Sequence, residues 1–121
     1  MTNFLSKEDI FQVEDISVET MEVPEWGGTI RLKPMTGAEK EGFEAEFQKR
    51  QQGENKINTR GFRGWLISRS VVNEDGELLF SKGDIAELSK KSAKVLEDVF
   101  EKCLEVNGIG QDAVEEIEKN L

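Results

Sequence analysis

Apolar residues fall in short stretches along this chain, separated by capping and turn residues, and the spacing within each stretch predicts its structure. Leu5-Ser6-Lys7-Glu8-Asp9-Ile10 reads as a helix start. Ser6 is placed to accept a free N–H of the first turn, Asp9 lies near the positive helix end, and Leu5 and Ile10 hold the two staple positions. Val18 to Val23 has strand composition, and Thr29-Ile30-Arg31-Leu32-Lys33 alternates apolar and polar residues as a half-buried strand does. Pro24-Glu25-Trp26-Gly27-Gly28 between them predicts a hairpin connection, and Pro34 closes the second strand.

Further along, Thr36-Gly37-Ala38-Glu39 has capping-box spacing and opens a helix expected to run to about Gln52, with Phe43 and Phe47 one turn apart. Gln51 to Asn55 is the most loop-like stretch. A third helix is expected from about Thr59 to Val72, carrying Phe62, Trp65, Leu66 and Arg69 at helical spacing, although Gly61 and Gly64 weaken it. Asn73-Glu74-Asp75-Gly76 is a turn, and Leu78-Leu79-Phe80 a short strand or extended link.

Phe80-Ser81-Lys82-Gly83-Asp84-Ile85 repeats the first helix-start pattern, and Ser81 opens a short helix through about Leu88. Two independent helix starts explain the repeat better than a duplication, because six residues are too few for one. Ser89 is expected to cap the next helix, whose stripe of Ala93, Leu96, Val99 or Phe100, Cys103 and Val106 is the clearest amphipathic signal in the chain. Asn107-Gly108 stops it, and Asp112 with Glu115 starts a last helix carrying Val114 and Ile117. The expected fold is a single domain over residues 1–121. It is α+β and mainly helical, with about four to six helices and a small antiparallel hairpin near the N-terminus.

Composition narrows the function more than the fold. The chain of 121 residues is 36% apolar and 34% charged, which suits a small core under a charged surface. Cys103 is the only cysteine, so no intrachain disulfide is expected and a reducing compartment fits best. Neither a signal peptide nor a membrane span is expected from the residues after Met1.

The net charge of −9 is uneven. Residues 1–25 hold seven acids against one Lys, residues 97–121 hold eight against two, and the remaining middle has thirteen bases against ten acids. Acidic ends around a mildly basic middle suit self-association or a basic partner, and equally suit plain solvated faces.

Candidate chemistry is sparse. The chain has no His and no Tyr, which removes the commonest general base and metal ligand. Cys103 lies on an apolar stripe with no His to activate it, so a buried structural thiol is expected. Trp26-Gly27-Gly28 lacks the Lys-Ser/Thr ending of a phosphate loop, and Asn73 to Gly76 offers too few positions for a calcium loop. Carboxylate-only catalysis would need a defined cleft, for which a chain this small has little room. No catalytic residue, metal site or cofactor is expected.

Lys49, Arg50, Lys56, Arg60, Arg63 and Arg69 form the one basic cluster. With Phe62 and Trp65 interleaved it has the look of a single-strand nucleic-acid surface, but the two aromatics are three apart on a helix and more naturally face the core. Trp26, on a glycine-flanked hairpin tip, is either an exposed anchor for a partner or a lid that seals the end of the core.

Several of these stretches together carry a family resemblance. Leu5 to Ile10, Val23-Pro24-Glu25-Trp26-Gly27-Gly28, Met35-Thr36-Gly37-Ala38-Glu39, Val71-Val72-Asn73-Glu74-Asp75-Gly76 with Phe80, and Val106-Asn107-Gly108 before an acidic helix occur in this order over nearly the whole chain. The pattern resembles the tail assembly chaperones of long-tailed bacteriophages and prophages, most strongly in Glu-Trp-Gly-Gly followed by Thr-Gly-Ala-Glu.

The resemblance implies a small, mainly helical α+β protein that binds the tape-measure protein, a long, helical, aggregation-prone chain, and recruits tail-tube subunits. It implies action in the host bacterial cytoplasm and absence from the mature virion. It also implies a second, longer form made by ribosomal frameshifting, for which Glu118-Lys119-Asn120 could supply a slippery GAA AAA AAC run. On this reading the protein is a non-catalytic holdase. Its candidate partner contacts are Trp26, Phe43, Phe47, Phe62 and Trp65, several of which must instead be core, and it binds neither nucleic acid nor membrane. A tail component retained in the virion is the main alternative, and a nucleic-acid-binding module a further one.

Overall fold

A computed structural model describes residues 3–51 and 62–110, with backbone only at 46–51 and 62. Among these described residues five α-helices accompany a three-stranded antiparallel sheet, an α+β, mainly helical fold as expected. The order is α1 (Lys7–Gln12), β1 (Glu19–Val23), β2 (Gly28–Leu32), α2 (Gly37–Gln51), α3 (Phe62–Ser70), β3 (Val71–Val72), α4 (Ile85–Leu88) and α5 (Ala93–Val106).

The hairpin forms as its residues predict. Pro24 to Trp26 makes a single 3₁₀ turn, and Gly27 takes a left-handed φ of 77° that its lack of a Cβ permits. That turn sets a register of Glu19 against Leu32 and Val23 against Gly28. The alternation leaves Val23 and Leu32 buried and their neighbours exposed or half-buried.

The sheet gains a third strand where the sequence predicts the end of a helix. α3 stops at Ser70, and Val71 and Val72 pair with Leu32 and Arg31. β-branched Val71 and Val72 are better suited to an extended, fully buried pleat than to another helical turn. The Lys33 amide donates to the Ser70 carbonyl at 2.8 Å, locking the exit of β2 to the exit of α3.

α3 is the central element. Gly64 to Ser68 are all buried, so this helix is enclosed on every side rather than amphipathic. The Phe43 ring of α2 lies against Trp65, with centroids 4.9 Å apart and planes at 56°. Gly64 is explained by close packing, since a Cβ there would meet Ile85 Cγ2 at 3.1 Å.

α5 covers α3 with Val95, Val99, Phe100, Cys103 and Leu104. The buried face therefore lies slightly around the helix from the expected stripe. Ala93 is exposed, whereas Val95 and Leu104 belong to the core. Its N-cap is Ser92 rather than Ser89. The Ser89 hydroxyl instead donates back to the Ile85 carbonyl at 2.8 Å, which closes α4.

Asn107 ends α5 and joins three elements. Its Nδ2 donates to the Cys103 carbonyl at 2.8 Å and to Ser70 Oγ at 3.0 Å, while its Oδ1 accepts from the Met35 amide at 2.7 Å. Gly108 follows in the left-handed region, as the sequence predicts. The expected last helix from Asp112, the residues Glu118 to Asn120, and the loop-like stretch beyond Gln51 lie outside the described residues.

Candidate protein-binding surface

Two apolar features remain uncovered once the core is assembled. The first is the segment before β1. Ser6 and Asp9 form the expected capping box, with the Asp9 amide donating to Ser6 Oγ at 3.1 Å and the Ser6 amide donating to Asp9 Oδ2 at 3.0 Å. The Ser6 amide, and after it the Ser6 hydroxyl, hydrogen-bond the Asp9 carboxyl and hold it below the usual carboxylate range. The helix they start has no buried residue. Phe4 is 88% exposed and Phe11 78%, and Leu5, Ile10, Val13 and Val18 are exposed beside them. Ile16 alone in this arm is half-buried.

The second feature is an open groove of about 410 Å³ lined by Trp26, Leu79, Phe80, Asp84, Glu87, Leu88 and Lys91. Each wall has a local cause. Val23, buried beneath the hairpin tip, holds the turn that carries Trp26. The Asn73 turn closes through its Oδ1, which accepts from the amides of Asp75 and Glu77, and Leu78 then bridges back to Val72. The Leu79 amide donates to the Val71 carbonyl at 3.0 Å, which fixes its backbone while its side chain stays half exposed.

On the opposite wall the Asp84 carboxylate accepts from the Ser81 amide and hydroxyl, which lowers its pKa. Glu87 is ion-paired with Lys90 at 3.0 Å. Lys91 makes no ion pair among the described residues.

The structure separates the five residues that the sequence marks for partner contact. Phe43 and Trp65 are core residues, 7% and 1% exposed, and so are unavailable as surface contacts. Trp26 is half-buried, packing on the core while also lining the groove. The side chains of Phe47 and Phe62 lie outside the described residues.

Sequence reasoning missed the arm and Leu79. Phe4, Phe11 and Val13 follow neither strand nor helix periodicity, and a run of apolar residues without a period is the signal that could have marked them.

The rest of the site chemistry is quiet. Of the basic cluster, Arg63 is engaged, with its Nε 2.7 Å from Glu97 Oε2 and its guanidinium 5.3 Å from the Phe100 ring centre. The side chains of Lys49, Arg50, Lys56 and Arg60 lie outside the described residues. Cys103 is buried among apolar residues, and desolvation pushes its thiol from the usual 9.0 to about 12, with a Ser70 hydrogen bond opposing the shift.

Among the described residues no group of three His, Cys, Asp or Glu side chains could hold a metal ion, and no helix is long and apolar enough to cross a membrane. No protein-family model, curated protein or solved structure matches the chain.

Proposed function

We propose that this protein is a non-catalytic holdase for another protein chain, a tail assembly chaperone of a long-tailed bacteriophage or prophage. The observation that carries the reading is an uncovered apolar arm that adds no residue to the core cluster, together with an open groove whose Leu79 wall is half exposed. Contiguous exposed apolar surface is costly in water and marks contact with a partner.

The chemistry of such a partner follows from the groove. Trp26, Leu79, Phe80 and Leu88 offer a greasy floor and wall suited to apolar side chains repeated along one face of a helix. That is the surface a long, apolar-striped tape-measure chain presents before the tube closes around it. Acidic charge at both ends of the chaperone keeps the complex soluble. Binding shields the partner by mass action, and no energy input is required. Recruitment of tail-tube subunits, a longer frameshifted form, action in the bacterial cytoplasm and absence from the finished particle belong to the same reading.

The test is co-expression with a tape-measure fragment, followed by a pull-down. Leu79→Asp and Trp26→Ala are expected to weaken capture, and Leu79→Asp to do so with almost no change in melting temperature, because that side chain is half exposed. Undiminished capture by Leu79→Asp would remove the groove from the mechanism. No capture by the unaltered protein would remove the function.

A further inference from the structure

Asn107 and Gly108 form the only Asn-Gly pair in the chain. Each residue is dictated by the end of α5. The Asn107 side chain joins Met35, Ser70 and Cys103, and Gly108 takes a φ of 66° that residues with a Cβ rarely adopt. Together they also make the dipeptide most prone to lose ammonia, because glycine leaves its own backbone nitrogen unobstructed beside the side-chain amide. We propose that Asn107-Gly108 is a masked self-modification site: the folded end of α5 withholds the reaction, and a chain that opens there is converted to a product that cannot rebuild the joint. The inference does not rest on the function proposed above.

The reaction needs only water. The Gly108 backbone nitrogen attacks Asn107 Cγ and forms an N–Cγ bond. The Cγ–Nδ2 bond breaks, and Nδ2 leaves as ammonia with the proton that the Gly108 nitrogen gives up. Water then opens the cyclic imide. Cleavage at Cγ yields Asp, and cleavage at the backbone carbonyl yields isoaspartate, whose main chain runs through Cβ and Cγ.

Burial does not supply the mask. Gly108 is exposed and Asn107 only half-buried, so solvent is at hand. Geometry supplies it. Ring closure needs Cβ and the Gly108 nitrogen on the same side of the Cα–C bond, and the observed ψ of 0° at Asn107 holds them well apart. The Gly108 N–H is donated to the Glu105 carbonyl at 3.1 Å, which retains the proton that the attacking nitrogen must lose. Both Nδ2 protons are committed, to the Cys103 carbonyl at 2.8 Å and to Ser70 Oγ at 3.0 Å, and Oδ1 accepts from the Met35 amide at 2.7 Å. The side-chain amide turns toward Gly108 only when all three contacts open together.

Either product spoils the joint. Asp still accepts from Met35 but has no N–H for the Cys103 carbonyl. Isoaspartate lengthens the main chain at the cap. It displaces Gly108 from Glu105 and the Ile109 amide from its 2.9 Å bond to the Leu104 carbonyl. Ile109 packs against the core there, so α5 loses its anchored end. A transient opening is thereby recorded in covalent form.

Peptide mapping by mass spectrometry tests the proposal on the full chain. The protein is held in mildly alkaline buffer with and without denaturing guanidinium chloride, and conversion of Asn107 to the acid is followed over time. Three hydrogen bonds open together in about one molecule in a hundred, so the folded rate is expected to be about a hundredfold below the denatured rate. Ser70→Ala, which removes one of the three contacts, is expected to raise the folded rate about fivefold and to leave the denatured rate unchanged. Protein converted in denaturant and returned to buffer is expected to unfold at a lower guanidinium chloride midpoint than unconverted protein.

Conversion as fast in the folded protein as in denaturant would overturn the mask. So would Ser70→Ala that keeps its circular-dichroism spectrum and converts no faster than the unaltered protein; if that variant does not fold, the two rates of the unaltered protein decide alone. Converted protein that regains the unaltered midpoint would overturn the claim that the product cannot rebuild the joint.

Discussion

Asn107 should be the most costly polar residue to remove. Its amide orientation is fixed by chemistry. Oδ1 must face the Met35 N–H because only an acceptor fits there, and Nδ2 must face the Cys103 carbonyl because only a donor does. Asn107→Ala deletes those two hydrogen bonds and a third to Ser70 Oγ. Each is worth about 1 kcal/mol net, so the expected loss is about 3 kcal/mol. For a chain of this length that corresponds to a fall in melting temperature of about 12 °C.

Urea denaturation followed by tryptophan fluorescence reads the change, because Trp65 is buried and becomes solvated on unfolding. The midpoint should fall while the denaturant slope stays constant. Asn107→Asp gives a sharper test. One oxygen still accepts from Met35, but the other places negative charge against the Cys103 carbonyl. The carboxyl is therefore harder to ionise folded than unfolded, and the variant should lose stability as pH rises above about 4, while Asn107→Ala stays parallel to the unaltered protein. A loss below about 0.5 kcal/mol for Asn107→Ala would place it with ordinary surface changes and refute the reasoning.

Other outcomes follow from the same structure. Cys103 should react with a disulfide reagent only as fast as the protein opens, and stability should decline as pH rises from 9.0 toward about 12, since the unfolded thiol ionises first; rapid labelling of the folded protein at neutral pH would contradict its burial. The lowered carboxyls of Asp9 and Asp84 contribute their stabilisation above the ordinary value of 3.8 and lose it as pH falls through their folded values; amide exchange at the first turns after Ser6 and Ser81 should therefore speed up in acid, ahead of α5. Gly64→Ala should destabilise by about 1 kcal/mol despite the better helix propensity of Ala, because its methyl meets the stiff Ile85 Cγ2; a gain in stability would mean that α4 moves aside freely. Leu32→Ala should cost about 2–5 kcal/mol in chemical denaturation, as a fully buried central-strand residue.

The elements visible in the sequence are those with local causes. The capping boxes at Ser6 and Thr36, the glycine-assisted turn after β1, the Asn73 turn and the Asn107-Gly108 stop all depend on residues within four positions of each other. What escaped was set by distant parts of the chain. Val71 and Val72 leave helical pattern because Leu32 and Arg31 offer a ladder. Ser92 rather than Ser89 caps α5 because Ser89 finishes α4. The core face of α5 follows α3, which is buried all round and so has no polar face to give a phase. The role of Asn107 across 72 residues to Met35 leaves no mark in spacing.

The site was less legible than the fold. Aromatic residues drew attention as contacts, but Phe43 and Trp65 are needed inside, where large rings fill volume. Of the uncovered surface, Ile10 and Phe11 lie in the six-residue α1 and Leu79 in extended chain, segments too short for a periodicity to separate a core face from an interface.

The central claim is that this protein works by lending apolar surface to another chain. Co-expression with a phage tape-measure protein tests it most directly, with the soluble fraction weighed with and without this protein. The account predicts that the tape-measure protein becomes soluble and elutes with this protein, and that Leu79→Asp reverses the effect. A tape-measure chain equally insoluble in its presence and absence would contradict it.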